Sequence, residues 1–150
     1  MVIAIGSDHA AFALKKEIEK YLEEKGLEYK DYGCFSEERT DYPIYGELVG
    51  KAVASGECEK GILLCGTGVG ISLAANKVRG VRAVVCSDCY TAKLSKEHNN
   101  TNILAMGSRV VGVDLAKMIL DTWLGATFQG ERHQRRIDMI HEIENRNINF

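Results

Sequence analysis

The sequence predicts an α/β fold: a single domain built on a five-stranded parallel sheet with helices on both faces and a further helix at the C-terminal end. Two observations carry this. Apolar segments of strand length recur between segments of helical periodicity. Residues 61–64 and 81–86 are near-continuous apolar runs, the pattern of strands buried on both faces.

Taken in order, Val2-Ile3-Ala4-Ile5 is the first strand. Residues 11–25 follow as a helix, because Ala11, Leu14, Ile18, Tyr21 and Leu22 fall on one stripe, and Gly26 caps it. Residues 27–32 form a shorter, more polar strand, expected near an edge. Residues 33–43 read as a loop ending in Pro43, the only proline, with Asp41-Tyr42-Pro43 as a turn. Residues 44–55 form the second helix, stopped by Gly56. The strand at 61–64 enters the loop Cys65-Gly66-Thr67-Gly68-Val69-Gly70, which opens a helix running from Ile71 to Lys77. Residues 81–86 are expected as a buried strand, 88–98 as a short helix and 103–106 as the last strand. Residues 113–124 are helical, with Leu115, Ala116, Ile119, Leu120 and Trp123 on the apolar side. After Gly125 a polar stretch leads to an amphipathic helix near 131–145, whose Ile137, Ile140 and Ile143 form a stripe compatible with a partner surface. No repeat or composition break divides the chain, so residues 1–150 are read as one domain.

Composition narrows the function classes. A chain of 150 residues with 45% apolar and 27% charged residues suits a globular protein with a full core. A net charge of -2 is too small to point to nucleic acid or a membrane surface as a bulk partner. No apolar run approaches the roughly 20 residues of a membrane span, and the N-terminus enters a strand without a signal peptide, so a cytoplasmic protein is expected. Five cysteines form no regular framework, and disulfides are not expected. Cys86-Ser87-Asp88-Cys89 has Cys-x-x-Cys spacing without the second pair of ligands that zinc would want; it reads as one strand-end and one helix-start cysteine. Cys34 and Cys58 read as incidental surface or boundary residues.

Parallel sheets bind ligands at the carboxyl ends of their strands, so the residues there form a short list of site candidates. The first strand is followed by Gly6-Ser7-Asp8-His9, the third by Cys65–Gly70 and the last by Gly107-Ser108-Arg109, with His98-Asn99-Asn100 in a polar stretch just before it. Glycines in the loop after Cys65 let the backbone approach a ligand, and its free N–H groups favour thiolate over thiol. A base beside such a loop suits chemistry that makes and stabilises an oxyanion. Asp8 can cap the first helix and still present one oxygen outward. Arg132 and Arg136 lie four apart on the last helix and share a face that a phosphate would join.

These words in this order closely resemble the type B ribose-5-phosphate isomerases: Gly6-Ser7-Asp8-His9-Ala10, Asp41-Tyr42-Pro43, Cys65-Gly66-Thr67-Gly68-Val69-Gly70 with Ala74-Ala75-Asn76-Lys77, Glu97-His98-Asn99, and Phe128-Gln129-Gly130-Glu131-Arg132-His133. The wider family includes the galactose-6-phosphate isomerase subunits, and the resemblance runs from Val2 into the last helix. It implies a Rossmann-like three-layer fold and interconversion of ribose 5-phosphate and ribulose 5-phosphate through an enediolate, in the non-oxidative pentose phosphate pathway. It implies no metal or cofactor, and a homodimer, in some members paired into tetramers, whose active sites draw on two subunits. By position, the resemblance makes Cys65 the base between C1 and C2 and Gly66, Gly68, Val69 and Gly70 the cradle of the enediolate. His98 would open the furanose ring with Thr67, Asn99 would bind a sugar hydroxyl, and Asp8 would contact hydroxyls and shuttle the oxygen-bound proton. His9, Arg109, Arg132 and Arg136 would bind the phosphate; Tyr42, read from its turn rather than from the resemblance, is available to face a ligand ring or hydroxyl. One branch of the family has a glutamate base where this chain has Ile71, so the chain falls in the cysteine branch. The alternatives are an isomerase of a hexose 6-phosphate of the allose or galactose type and a non-catalytic sugar-phosphate binding module.

Overall fold

The computed structural model of the protein describes residues 1–148. Its strands, numbered in chain order, are β1 (Val2–Ser7), β2 (Glu28–Asp31), β3 (Lys60–Cys65), β4 (Ala83–Val85) and β5 (Ile103–Gly107). The α-helices are α1 (Phe12–Glu24), α2 (Tyr42–Ala54), α3 (Val69–Ala75), α4 (Cys89–Asn99), α5 (Val113–Gly125) and α6 (Arg132–Arg146), and a short 3-10 turn at His9–Ala11 precedes α1. All strands are parallel, in the order β2-β1-β3-β5-β4.

Strand alternation builds two cores. Ile3, Ile5, Ile62, Leu64, Leu104 and Met106 face one side and pack against α1, α4 and α5 through Leu14, Ile18, Ala92, Ile119 and Trp123. Ala4, Leu63, Cys65, Ile103 and Ala105 face the other side and meet α2 and α3 through Val49, Val53, Ile71 and Ala75. Each fully buried aliphatic side chain contributes roughly 1.5–3 kcal/mol, so three layers are the stable solution for strands apolar on both faces. The crossovers also create a crevice. The helix after β1 lies on one face and the helix after β3 on the other, although the two strands are neighbours. Their carboxyl ends therefore diverge around a topological switch point.

Several boundaries differ from the sequence reading. The segment at 81–86 is not a buried strand. Only Ala83–Val85 is paired, on the sheet edge beside β5, and Val85 is 39% exposed. The loop after β2 ends before Pro43: α2 begins at Tyr42 with proline in its first turn, where the missing N–H costs nothing. Helix α3 starts at Val69, two residues before Ile71, because Gly68 is left-handed at φ +81° and turns the chain directly into it. Cys34 and Cys58 are not surface residues but are buried. The Cys34 N–H donates to the Ser7 carbonyl and the Cys58 N–H to Ala52, tying connecting segments to the core. Cys86 and Cys89 sit, as read, just after β4 and at the start of α4, and all five cysteines are free. No helix among the described residues is long and apolar enough to cross a membrane.

Candidate active site

Cys65 is the last residue of β3, 4% exposed, and its Sγ accepts the Gly68 N–H at 3.1 Å. The tight return of the loop explains this contact. Gly107 of β5 packs against the Thr67 backbone and Gly68 against Met106, so β5 presses the loop back over the thiol. Two bonds hold the loops together: Ser108 N–H donates to the Cys65 carbonyl at 2.9 Å and Arg109 N–H to the Gly66 carbonyl at 3.0 Å. The Arg109 guanidinium lies over Gly66, where a Cβ would stand 3.3 Å from its terminal nitrogen. Thr67 Oγ1 accepts the Val69 N–H at 3.2 Å, and the Tyr42 ring covers Gly70 so closely that a Cβ there would lie 2.6 Å from it.

Across the switch point stand Asp8 and His9. The Asp8 N–H donates to the Leu64 carbonyl at 3.2 Å, next to Cys65, and its carboxylate accepts the Ala11 N–H at 3.3 Å, the capping role read from the sequence. His9 Nδ1 lies 3.2 Å from the Thr40 amide nitrogen and 3.1 Å from its carbonyl oxygen, which leaves Nε2 to meet a ligand. Asp8, His9, Tyr42, Cys65, Gly66, Thr67, Gly68, Val69, Gly70 and Arg109 thus gather at one end of the sheet. A thiol held under loop amides, beside a carboxylate and with two cationic-type side chains at the rim, can move a proton next to an anchored anion.

His98, Asn99, Arg132 and Arg136 gather elsewhere. His98 lies in the last turn of α4 rather than in a loop, since the helix continues to Asn99 and ends at Asn100, left-handed at φ +44°. Helix α4 leaves the carboxyl end of β4 and delivers the chain to the start of β5, so its 11 residues carry His98 back about 16 Å. The bonds after the helix fix the level: Asn102 accepts the Gly61 N–H at 2.9 Å and donates to Arg82 at 3.1 Å, both at strand starts. Gly61 is four residues upstream of Cys65, about 13 Å along an extended strand. The His133 ring of α6 stacks on His98 with centroids 4.2 Å apart and planes 8° from parallel, bringing the Arg132 and Arg136 helix to the same end. The candidate residues therefore form two clusters at opposite ends of the sheet.

Two members of the second cluster escaped the sequence reading. The Arg82 guanidinium donates to the carbonyls of Asn99 (3.2 Å) and Asn100 (2.8 Å) and meets His141 Nε2 at 3.2 Å, clamping the end of α4 to α6. Burial holds its pKa below the ordinary guanidinium value. His133 sits in a motif noted in the sequence, yet only its neighbour Arg132 was singled out there. Among the described residues no group of three or more metal-ligating side chains converges.

Residues 3–140 match a family model described as Ribose/Galactose Isomerase. The chain is 60% identical over 144 residues to ribose-5-phosphate isomerase B of Escherichia coli strain K12, covering 96% of this chain and 97% of that protein. Among solved structures it is similar to ribose-5-phosphate isomerase B of Clostridium thermocellum, with a TM-score of 0.96, 55% identity, and coverage of 97% of this chain and 99% of that one. It is likewise similar to the ribose 5-phosphate isomerase of Thermotoga maritima, with a TM-score of 0.92, 50% identity, and coverage of 94% and 97%.

Proposed function

The chain belongs to the ribose/galactose isomerase family, and from that premise we propose that it interconverts ribose 5-phosphate and ribulose 5-phosphate without metal or cofactor, in the non-oxidative pentose phosphate pathway of the cytoplasm. The observation that carries the reading is the Cys65 thiol, buried under the Gly66–Gly70 backbone at the crevice between β1 and β3.

A hydrogen next to a sugar carbonyl is a weak acid, so its removal needs both a base and a stabilised oxyanion. Cys65 as thiolate takes the proton from C2 of the aldose and returns it to C1. The loop of Gly66, Gly68, Val69 and Gly70 cradles the enediolate, and the Gly68 N–H that rests on Cys65 Sγ becomes available to the oxyanion once the thiolate has taken up its proton. Losing one such donor typically costs on the order of 100- to 1,000-fold in rate. Asp8 moves the proton between the two oxygens, and Tyr42 walls the sugar. Before that, His98 with Thr67 opens the furanose ring, and Asn99 holds a hydroxyl. His9, Arg109, Arg132 and Arg136 bind the phosphate, anchoring the substrate so that binding energy serves the chemical step.

His98 and Cys65 can meet on one substrate only if different copies supply them. We therefore place the site in a homodimer, with the Cys65 end of one subunit facing the His98 end of its partner. Pairing of dimers into tetramers is compatible with this arrangement. The half-exposed Ile140 (48%) and Ile143 (52%) of α6 support a partner surface on the His98 side.

The direct test is ketose formation from ribose 5-phosphate with wild type and Cys65→Ala. Turnover should vanish in the variant, with ribose 5-phosphate binding retained. Equal loss of affinity and turnover would make Cys65 structural, and turnover surviving in the variant would remove it as the base.

A further inference from the structure

We infer that His133 is the positioning residue for His98: its ring is the platform that sets the plane and place of the imidazole that opens the sugar ring. This rests on the reading of His98 given above. His98 stands in the last turn of α4, half-buried, where an imidazole has two free torsions and more than one staggered position. What restricts it is the 4.2 Å, 8° stack on His133. The platform itself is rigid. His133 is 5% exposed, its backbone N–H donates to the Gly130 carbonyl at 3.0 Å, and the segment before α6 is tied to the residue next to His98 by the Gln129 backbone N–H on the Glu97 carbonyl at 2.9 Å. Both rings thus hang from backbones that are bonded to each other.

The chemistry of the His133 ring fits a platform and not a proton relay. Its Nε2 is buried and has no hydrogen-bond partner among the described residues. Burial, with His98 on α4 and Arg132 and Arg136 on its own helix, holds its pKa below the ordinary imidazole value, Glu131 alone opposing. The shift favours the neutral ring. A neutral ring stacks on His98 in either protonation state of His98, whereas two imidazolium rings at this separation would repel. A partner that must take up and release a proton keeps its place throughout.

The test separates ring opening from proton transfer at carbon. Ribulose 5-phosphate cannot close a furanose ring, because its O5 carries the phosphate, so solvent exchange of its C1 hydrogen needs Cys65 but not His98. His133→Phe keeps an aromatic face without Nε2, while His133→Leu fills the space without one. The expected result is that H133F turns over ribose 5-phosphate within about threefold of wild type. H133L loses on the order of 10- to 100-fold in kcat, with KM nearly unchanged because the phosphate ligands remain. C1 exchange stays at the wild-type rate in both variants, and both melt as dimers near the wild-type temperature. H133F as impaired as H133L would show that Nε2 itself is needed and would overturn the inference. Equal loss of exchange and turnover in H133L would overturn it in favour of a purely structural role, and undiminished turnover in H133L would overturn it outright. Failure of the isomerase reading would look different, since wild type itself would then catalyse neither reaction.

Discussion

A methyl group built onto Gly107 would lie 2.6 Å from the carbonyl carbon of Thr67 and 2.7 Å from its Cα and carbonyl oxygen. These are backbone atoms with no rotamer to move to, so the loop after β3 would have to lift off β5. The Cys65 thiol and the amide of Gly68, now 3.1 Å apart, would separate with it. Gly107→Ala is expected to lower kcat on the order of 10- to 100-fold and stability by about 1–3 kcal/mol, measured by steady-state kinetics and urea melts. Gly112→Ala is the control, with nothing within 4 Å of the added carbon and wild-type kinetics expected. At this scale the sequence was legible wherever a candidate side chain follows a strand's carboxyl end. Asp8, His9, Cys65, Thr67 and Arg109 all lie in one crevice, as their positions after β1, β3 and β5 implied. Arg82 and His133 were not legible, because their roles are fixed by what they touch. As sequence, one is a cation before an apolar run and the other a polar residue on a basic helix.

Among the elements, α4 is the one whose buried side departs furthest from an apolar stripe, facing inward with Ala92, Ser95 and Lys96. The Lys96 ammonium donates to the Thr101 carbonyl at 3.0 Å and lies 5.1 Å from the centre of the Trp123 ring. Burial, with nearby Lys60 and Arg82, pushes its pKa down to about 8 from 10.5. The sign of the effect follows. Below pH 8 the folded and unfolded chains both carry the charge, and the folded state bears the full penalty of burying it. Between about pH 8 and 10.5 the unfolded chain binds more protons, so this group makes the fold more stable as pH rises. Lys96→Met keeps the stem and removes the charge. Its stability relative to wild type should be highest at pH 7 and decline as pH rises from 8 to 10, followed by chemical denaturation at each pH. A difference that stays flat across that range would contradict the assignment. The same scale shows why 81–86 differs from its reading: an apolar run reads as buried whether or not other elements cover it, and periodicity does not record which strand lies at the edge.

At the scale of the whole molecule, parallel topology separates the candidate residues. Every strand ends at the Cys65 side, and every helix returning from a strand ends at the other, so residues late in α4 cannot share a crevice with residues after β3 in the same chain. The order of the elements was readable from the sequence, and so was the gathering of candidate side chains at the carboxyl ends of β1, β3 and β5. The division of the candidates between two ends was not, because motifs carry no direction until the strand order is known. Under the proposed mechanism the division makes a specific demand on assembly: Cys65 and His98 would come from different copies. The measurement that tests this most directly mixes two inactive proteins, Cys65→Ala and His98→Asn, after unfolding and refolding them together, and assays ketose formation from ribose 5-phosphate. Half the dimers formed at random would carry one intact site each, so the expected result is recovery of roughly a quarter of wild-type activity. A mixture that stays inactive while mixed dimers are demonstrably present would contradict a site shared between subunits.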